Sequence, residues 1–355
     1  MQTLSLRRIQ EQMRNLSLDL LIVTSPQNLQ YLTQTQVNSH DRLNCLLIDQ
    51  AHVRCLCYHI SRIDTEDCEI IEYDDPDRTV ELLAALIGSA RSVGIDGGMQ
   101  SRFLLPLMDV CHNSLFRFTS LVEEVRCIKD PTEIQRLFHA SEVTDAVFAD
   151  ALSHLQCGMT ELELGRVFSD AFVRAGVGPF PGSPMVAFGK GTADVHHIPG
   201  QTRLQRGDAV MVDTGKQIDG YYSDMTRTVF FGDVTEEQKH VYEGVLEANR
   251  AAMEKARPGA TLREVHDAAV AVIQIAGYGA YFPHRTSHGI GIDYHEEPFD
   301  TPSRTRVLEE GMCFSIEPGI YLPGKFGVRI EDLVALTPDG PLTLTHAPKD
   351  LCVIG

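Results

Sequence analysis

The chain has 355 residues, enough for two domains, and its 43% hydrophobic and 7% aromatic content without Trp is ordinary for a globular protein. Its 31 basic and 49 acidic residues leave a formal charge of −18, which argues against nucleic acid or an anionic membrane as partner, since either needs a basic face. Nine scattered cysteines with no C-x-x-C pair indicate neither a zinc ribbon nor a disulfide framework, and no apolar run is long enough for a signal core or a span of about 18 residues, so a reduced cytoplasmic protein is expected.

In chain order, Leu4 to Leu16 reads as an amphipathic helix and Leu20 to Val23 as a buried strand. Leu43 to Asp49, Val53 to Tyr58 and Glu69 to Tyr73 read as further strands, followed by a helix from Thr79 to Ala90. Val93 to Ile95 leads to Asp96-Gly97-Gly98, a helix to about His112 and a last strand near Phe116 to Phe118, which together predict an α/β domain over 1–122. Asp130-Pro131-Thr132-Glu133 combines an N-cap, a first-turn proline and an acidic third position. It opens a long helix with Ile134, Leu137, Phe138, Ala146 and Val147 on one face, inside a second domain over 123–355.

That second domain carries an internal repeat. Gly158-Met159-Thr160-Glu161-Leu162-Glu163-Leu164 runs on to Ala175-Gly176, and Gly259-Ala260-Thr261-Leu262-Arg263-Glu264-Val265 runs on to Ala276-Gly277, an offset of 101. Each is a helix with a Thr N-cap, a Glu at the capping-box position and a glycine stop. Acid pairs follow at similar offsets, 104 from Asp213 to Glu317 and 107 from Asp224 to Glu331. The segment 158–232 therefore reads as a copy of 259–336, a duplicated α+β domain whose two acid hairpins should share one sheet covered by helices on one face.

In an antiparallel pair opposite residues have a constant index sum. Asp213 and Asp224 centre at 218.5, beside the Asp219-Gly220 turn dipeptide, and Glu317 and Glu331 centre at 324, on Gly324 of Pro323-Gly324-Lys325. Each pair is thus expected to face itself, at roughly 4.5 to 5.5 Å between Cβ atoms, where like charges are destabilising unless a cation lies between them. Two exposed acid pairs on solvated faces are the bland alternative, and the repetition of one geometry speaks against it.

Several runs resemble the pita-bread metallopeptidases, specifically the Xaa-Pro peptidases, prolidase and aminopeptidase P. They are Val212-Asp213-Thr214-Gly215, Gly220-Tyr221-Tyr222-Ser223-Asp224-Met225-Thr226-Arg227-Thr228, Ser287-His288-Gly289-Ile290-Gly291, His295-Glu296-Glu297-Pro298, Ile316-Glu317-Pro318-Gly319-Ile320-Tyr321 and Val328-Arg329-Ile330-Glu331-Asp332. Leu18 to Leu32, with Thr24-Ser25-Pro26-Gln27-Asn28 before Tyr31-Leu32, is similar to the creatinase-type domain that precedes this catalytic domain, so the resemblance spans nearly the whole chain.

The resemblance implies two divalent ions held by Asp213, Asp224, His288, Glu317 and Glu331, with Asp224 and Glu331 bridging. Four carboxylates balance two dications, and an oxygen-rich site without thiolate suits Mn, Co or Zn. It further implies a shared, activated water that cleaves a Xaa-Pro bond, with Glu317 as the general base that passes the proton to the leaving imino nitrogen. His196 and His295 match histidines that steady the tetrahedral intermediate and the proline side of the cleft, with His284 close before the ligand His288, whereas His197 reads as structural. Arg329, Tyr221 and Arg42 are the substrate-binding candidates. Gly289 and Gly291 fit a close backbone approach beside the ligand, because no phosphate-loop G-x-x-x-x-G-K-[ST] exists.

One position departs from the pattern. Many prolidases place an arginine just after the His-Glu-x-Pro run to grip the dipeptide carboxylate, and here Phe299 follows Pro298. Arg304, Arg306 and Arg42 are the sequence's candidates for that charge. The implied activity is that of a dipeptidase acting on a proline-containing peptide as a homodimer, with aminopeptidase P action on longer peptides as the near alternative. A creatinase-like or nonenzymatic relative should have lost some of the five ligands, and none is missing. Serine or cysteine hydrolase chemistry lacks a G-x-S-x-G or a recognisable Cys-His signature.

Overall fold

A computed structural model describes residues 3–37, 41–63, 65, 68–74, 78–178, 184–299 and 306–355. The chain divides into two compact units, 1–126 and 127–355. Among the described residues no helix is long and apolar enough to cross a membrane.

The first unit runs α1 (Thr3–Asn15), β1 (Leu20–Val23), α2 (Pro26–Thr33), β2 (Cys45–Ile48), β3 (Val53–Tyr58), β4 (Glu69–Tyr73), α3 (Thr79–Ile87), β5 (Ser92–Ile95), α4 (Ser101–Val110), β6 (Leu115–Phe118) and α5 (Leu121–Cys127). The strands form one six-stranded sheet in the order β4-β3-β2-β1-β5-β6. Pairing is antiparallel for β1 with β2 and β2 with β3, and parallel elsewhere. All four residues of β1 are buried, as expected for a central strand covered on both faces. Helix α2 was absent from the sequence reading; its Pro26 stands in the first turn, and Asn28 at its centre is buried and donates to Asp96 at 3.0 Å.

The second unit begins with α6 (Pro131–Leu152), α7 (Glu161–Arg174), β7 (Met185–Phe188), β8 (Ala209–Thr214), β9 (Gln217–Ile218), β10 (Tyr221–Tyr222) and β11 (Met225–Phe231). It continues with α8 (Glu236–Lys255), α9 (Leu262–Ile275), β12 (Cys313–Ile316), β13 (Gly319–Leu322), β14 (Phe326–Arg329), β15 (Asp332–Thr337), β16 (Gly340–Thr343) and β17 (Val353–Ile354). Helices α7 and α9 start with the capping boxes read from the sequence, Thr160 with Glu163 and Thr261 with Glu264. The repeat extends further upstream, because α6 and α8 open on capping boxes as well, Asp130 with Glu133 and Thr235 with Gln238. Each copy is therefore a helix pair followed by strands, and each has its own core. One gathers Phe148, Phe168, Phe188, Val210 and Val229, the other Val245, Val265, Phe314, Ile320 and Val334.

The acid hairpins differ in register. In the second copy β13 pairs with β14 and β12 with β15 at a common index sum of 648, so the expected centre at Gly324 holds and Glu317 and Glu331 fall in the gap between the two ladders. In the first copy Asp213 pairs with Thr226, not with Asp224, and the index sum is 439 in both β8·β11 and β9·β10. The cause is the turn: Asp219 and Gly220 both take positive φ, +50° and +84°, as a two-residue hairpin loop requires, which sets the centre at 219.5. A shift of two residues keeps Asp213 and Asp224 on one face as diagonal neighbours, whereas a shift of one would have separated them. Gly215 permits the close passage, since a Cβ there would meet the Ser223 carbonyl oxygen at 1.9 Å.

The two hairpins lie in separate ladders, β17-β11-β8-β7 and β12-β15-β16 with β13-β14, where one sheet was expected. They meet through individual bonds: Glu331 N donates to Thr226 O at 3.0 Å, and the Thr228 hydroxyl donates to Arg329 O at 3.0 Å. This seam brings the acids of the two copies together.

Candidate metal centre

A cavity of about 400 Å³ in the second unit is lined by all five candidate ligands, by His196, His284 and His295, and by Val195, Arg285, Ser287, Tyr294 and Arg329. Within it, the Nε2 atom of His288 lies 3.5 Å from Asp224 Oδ2, 3.6 Å from Glu317 Oε1 and 3.9 Å from Glu331 Oε1. One ligand atom each from Asp224, His288 and Glu331 lies within 4.8 Å of the others. The other ring nitrogen, Nδ1, donates to the Gly289 carbonyl at 3.1 Å. A carbonyl only accepts, so Nδ1 carries a proton and Nε2 is the ring nitrogen left facing the acids, the arrangement that a metal-binding imidazole needs.

The acids are held from outside. Arg329 Nη2 donates to Asp213 Oδ2 at 2.6 Å, the Thr226 hydroxyl to Glu331 Oε2 at 2.8 Å, and the Tyr294 hydroxyl to Asp224 Oδ1 at 2.5 Å. The Ser315 hydroxyl, 3.4 Å from Glu317 Oε1, also accepts from the His288 backbone N–H at 3.1 Å. Glu331 Oε1, buried and aimed at His288, has no hydrogen-bond partner.

Burial is the leading electrostatic cause throughout. With Asp224 adding to it against the pull of Arg329, it pushes Asp213 up to about 6. Burial likewise drives Glu317 up to about 7 against His288 and Arg329, and Glu331 well above the carboxylate range with the Asp224 and Glu317 charges reinforcing it. Burial pulls His288 down, but the hydrogen bond to Asp224 and the Glu317 charge override it and raise the imidazole. One buried guanidinium, Arg329, cannot neutralise four carboxylates, so the cluster is short of positive charge. An all-oxygen and imidazole donor set with an orphaned carboxylate oxygen fits a hard or borderline divalent cation.

The glycines beside His288 serve close approach as expected: a Cβ on Gly289 would meet the Glu297 carbonyl at 2.3 Å, and one on Gly291 would meet Glu296 Oε1 at 2.4 Å. Glu296 forms a buried ion pair with Lys129 at 2.8 Å, which fastens the loop carrying Tyr294 and His295.

The other candidates separate by position. His295, exposed at the cavity wall, packs edge-on against His288 with ring centroids 4.1 Å apart, and burial and the His288 charge lower it. His196 lines the cavity and is exposed. His284 uses both ring nitrogens within the protein: Nδ1 donates to Arg285 O at 2.7 Å, and Nε2 accepts from the Tyr321 hydroxyl at 2.8 Å. Burial lowers it to about 4. His197 lies 3.0 Å from the buried Glu161, consistent with a structural role.

Three substrate-binding candidates sit elsewhere or do other work. Tyr221 is buried outside the cavity lining and donates to Glu133 Oε1 at 2.8 Å, because its strand packs on α6. Arg329 is 2% exposed and committed to Asp213, Tyr321 and Thr226. Arg42 belongs to the first unit, where it pairs with Asp41 and lies 5.3 Å over the Tyr58 ring. Arg306 pairs with Glu309 at 3.8 Å, and Arg304 lies outside the described residues. Tyr294 and Arg285 escaped the sequence reading; each sits within a few residues of a quoted motif, in the gap between motifs.

Family models match both units. That for metallopeptidase family M24 covers residues 135–338, and that for the creatinase/prolidase N-terminal domain covers 6–128. A Xaa-Pro dipeptidase from Lactobacillus helveticus is 34% identical over 99% of this chain and 99% of its own. Among solved structures, a Xaa-Pro dipeptidase from Bacillus anthracis superposes with a TM-score of 0.91 at 28% identity, covering 99% of both chains. A recombinant prolidase from Thermococcus sibiricus does so with a TM-score of 0.90 at 32% identity, covering 98% of both. With its pita-bread catalytic fold and creatinase-type first unit, the chain belongs to metallopeptidase family M24.

Proposed function

We propose that the protein is a Xaa-Pro dipeptidase that holds two divalent ions on Asp213, Asp224, His288, Glu317 and Glu331, with 1–122 as the N-terminal domain and 123–355 as the catalytic one. The observation that carries this is the convergence of three carboxylates, Asp224, Glu317 and Glu331, on Nε2 of His288 in a cavity that Asp213 also lines, with the buried Glu331 Oε1 left unpartnered. Mn, Co and Zn all suit the donor set. Bound there, the ions would polarise the scissile carbonyl and bring a water toward neutral acidity.

The protein's own groups would do the rest. Glu317, braced by Ser315, takes the proton of the attacking water and returns it to the imino nitrogen of the leaving proline. His295 is neutral at neutral pH and can donate one N–H to the developing oxyanion, and His196 faces the same cavity. Arg329 and Tyr294 hold Asp213 and Asp224 in orientation. A cavity of about 400 Å³ suits a small ligand such as a dipeptide. A homodimer in the cytoplasm belongs to the same reading; nine cysteines, none in a disulfide, agree with a reducing compartment.

The test is a release assay after loading with Mn or Co. Cleavage of a Xaa-Pro dipeptide with little action on a Xaa-Pro-Yaa tripeptide supports the reading. Preference for the tripeptide replaces it with aminopeptidase P activity, and no cleavage of either refutes both.

A further inference from the structure

His196 faces the cavity from a loop, 189–199, that follows β7. The backbone around it is tied into a turn: the His196 N–H donates to Asp194 Oδ1 at 3.1 Å, the Asp194 N–H to Gly191 O at 3.1 Å and the His197 N–H to Asp194 O at 3.3 Å. Among the described residues, its exposed ring makes no hydrogen bond of its own. The direction of that ring is therefore set by the path of the chain.

The path is held at both ends by one side chain. Glu161, in the first turn of α7, is fully buried. Its Oε1 accepts from the Phe188 N–H at 2.9 Å and its Oε2 from the Gly200 N–H at 2.8 Å, so a single carboxylate closes the loop. Between those ends His197 Nε2 lies 3.0 Å from Oε1, close but out of line for a hydrogen bond. With His197 turned inward on Glu161, its neighbour His196 is left on the outer side, toward the cavity. The packing is tight, since a Cβ on Gly191 would meet His197 Cε1 at 3.0 Å and Glu161 Oε1 at 3.3 Å. The middle of the loop is pinned separately, by the Gly327 N–H of β14 donating to Thr192 Oγ1 at 2.7 Å.

The internal repeat shows that the helix itself does not need this acid. At the offset of 101, Glu161 corresponds to Leu262, which opens α9 as a buried member of the apolar core. Burying a carboxylate is costly unless its oxygens are hydrogen-bonded, and a leucine packs there without that cost. The second copy fastens its own histidine-bearing loop by other means, the Glu296 and Lys129 pair. Resting on the dipeptidase reading, we propose that Glu161 is the positioning residue for His196: its carboxylate clasps the two ends of the loop and stands against His197, so that the His196 ring is presented to the substrate.

The test is a double-mutant cycle on the Mn-loaded protein, with wild type, Glu161→Gln, His196→Asn and the two combined. Turnover of a Xaa-Pro dipeptide and Mn affinity by calorimetry are measured on each, and the ring-proton NMR signals of His196, assigned by their loss in His196→Asn, are followed in ion-free protein. His196→Asn should lower kcat/KM about 100-fold, as for loss of a group that steadies the reacting oxygen. Glu161→Gln retains one acceptor oxygen and should lower it about 10-fold, chiefly in kcat, by misplacing that group. In the His196→Asn background the same change should cost nothing further, because residues that act as a unit are not additive. Mn affinity should be unchanged in Glu161→Gln, and the His196 ring signals should move. His197→Asn, at a partly exposed position, enters the same cycle if Glu161→Gln fails to fold, and should show the same coupling with a smaller loss. Equal losses in both backgrounds, weakened Mn binding or unmoved His196 signals overturn the proposal. If wild type cleaves no Xaa-Pro dipeptide, the dipeptidase reading fails separately, and the His196 signals still decide the role of Glu161.

Discussion

Tyr294 donates its phenol hydroxyl to Asp224 Oδ1 at 2.5 Å while its ring stacks on His288 at 25° between planes, so one side chain orients two candidate ligands at once. Partners of this kind fix ligand orientation, and their loss typically costs about 10- to 100-fold in metal affinity or activity. Tyr294→Phe keeps the ring and removes the bond. Mn affinity by calorimetry should fall by at least about 10-fold with the melting temperature little changed. An unaltered affinity would reduce Tyr294 to packing.

Asp224→Asn should abolish turnover in a protein that remains folded by circular dichroism. Retention of more than about a few per cent of activity, against the roughly 100-fold or greater loss expected for a ligand, would count against its role.

Without ions the cluster should make stability depend on pH in a defined direction. Asp213 at about 6, Glu317 at about 7 and Glu331, also raised well above its ordinary value, lie above the unfolded carboxylate range, so the folded ion-free protein holds more protons than the unfolded chain. Stability then falls as pH rises from about 4 through 7, because the native state must give up protons it holds more tightly. Divalent ions replace those protons. The rise in melting temperature produced by Mn over EDTA should therefore be larger at pH 8 than at pH 5; an equal rise at both would mean the acids are neutralised by other means.

Away from the cavity, Asp332 is fully buried between Arg227, 2.7 Å from its Oδ1, and Lys349, 2.7 Å from its Oδ2. Burial alone would raise this carboxyl, but the two cations hold it below the ordinary range. Asp332→Ala leaves the buried Arg227 without its counter-charge and should cost about 3–5 kcal/mol in urea unfolding. A loss under about 1 kcal/mol would show that the Ala347 carbonyl, which accepts from both Arg227 Nε and Nη2, suffices.

Much of this arrangement was legible because it rests on local rules. Strands β1, β3 and β4 were read with the observed bounds, and the Thr160 and Thr261 caps with their Glu partners were found where the spacing put them. The Glu317 and Glu331 register followed from a turn centred on one glycine. The Asp213 and Asp224 register did not, because the Asp219-Gly220 dipeptide was recognised but its two-residue geometry was not applied. The roles of Tyr221, His284 and Arg329 depend on which partner each meets across the fold, at separations of 88, 37 and 116 residues, and no local pattern carries that information. Tyr294 lies between recognisable motifs and acquires meaning only from Asp224.

The most direct measurement is the stoichiometry of tightly bound divalent ion after EDTA stripping, reconstitution with Mn and gel filtration, read by elemental analysis on wild type and Glu331→Gln. Two ions per chain in wild type, with loss of at least one in the variant, is the predicted result. Wild-type protein that emerges folded yet retains no stoichiometric ion would contradict the metal centre, and with it the reason four acids share one buried cavity.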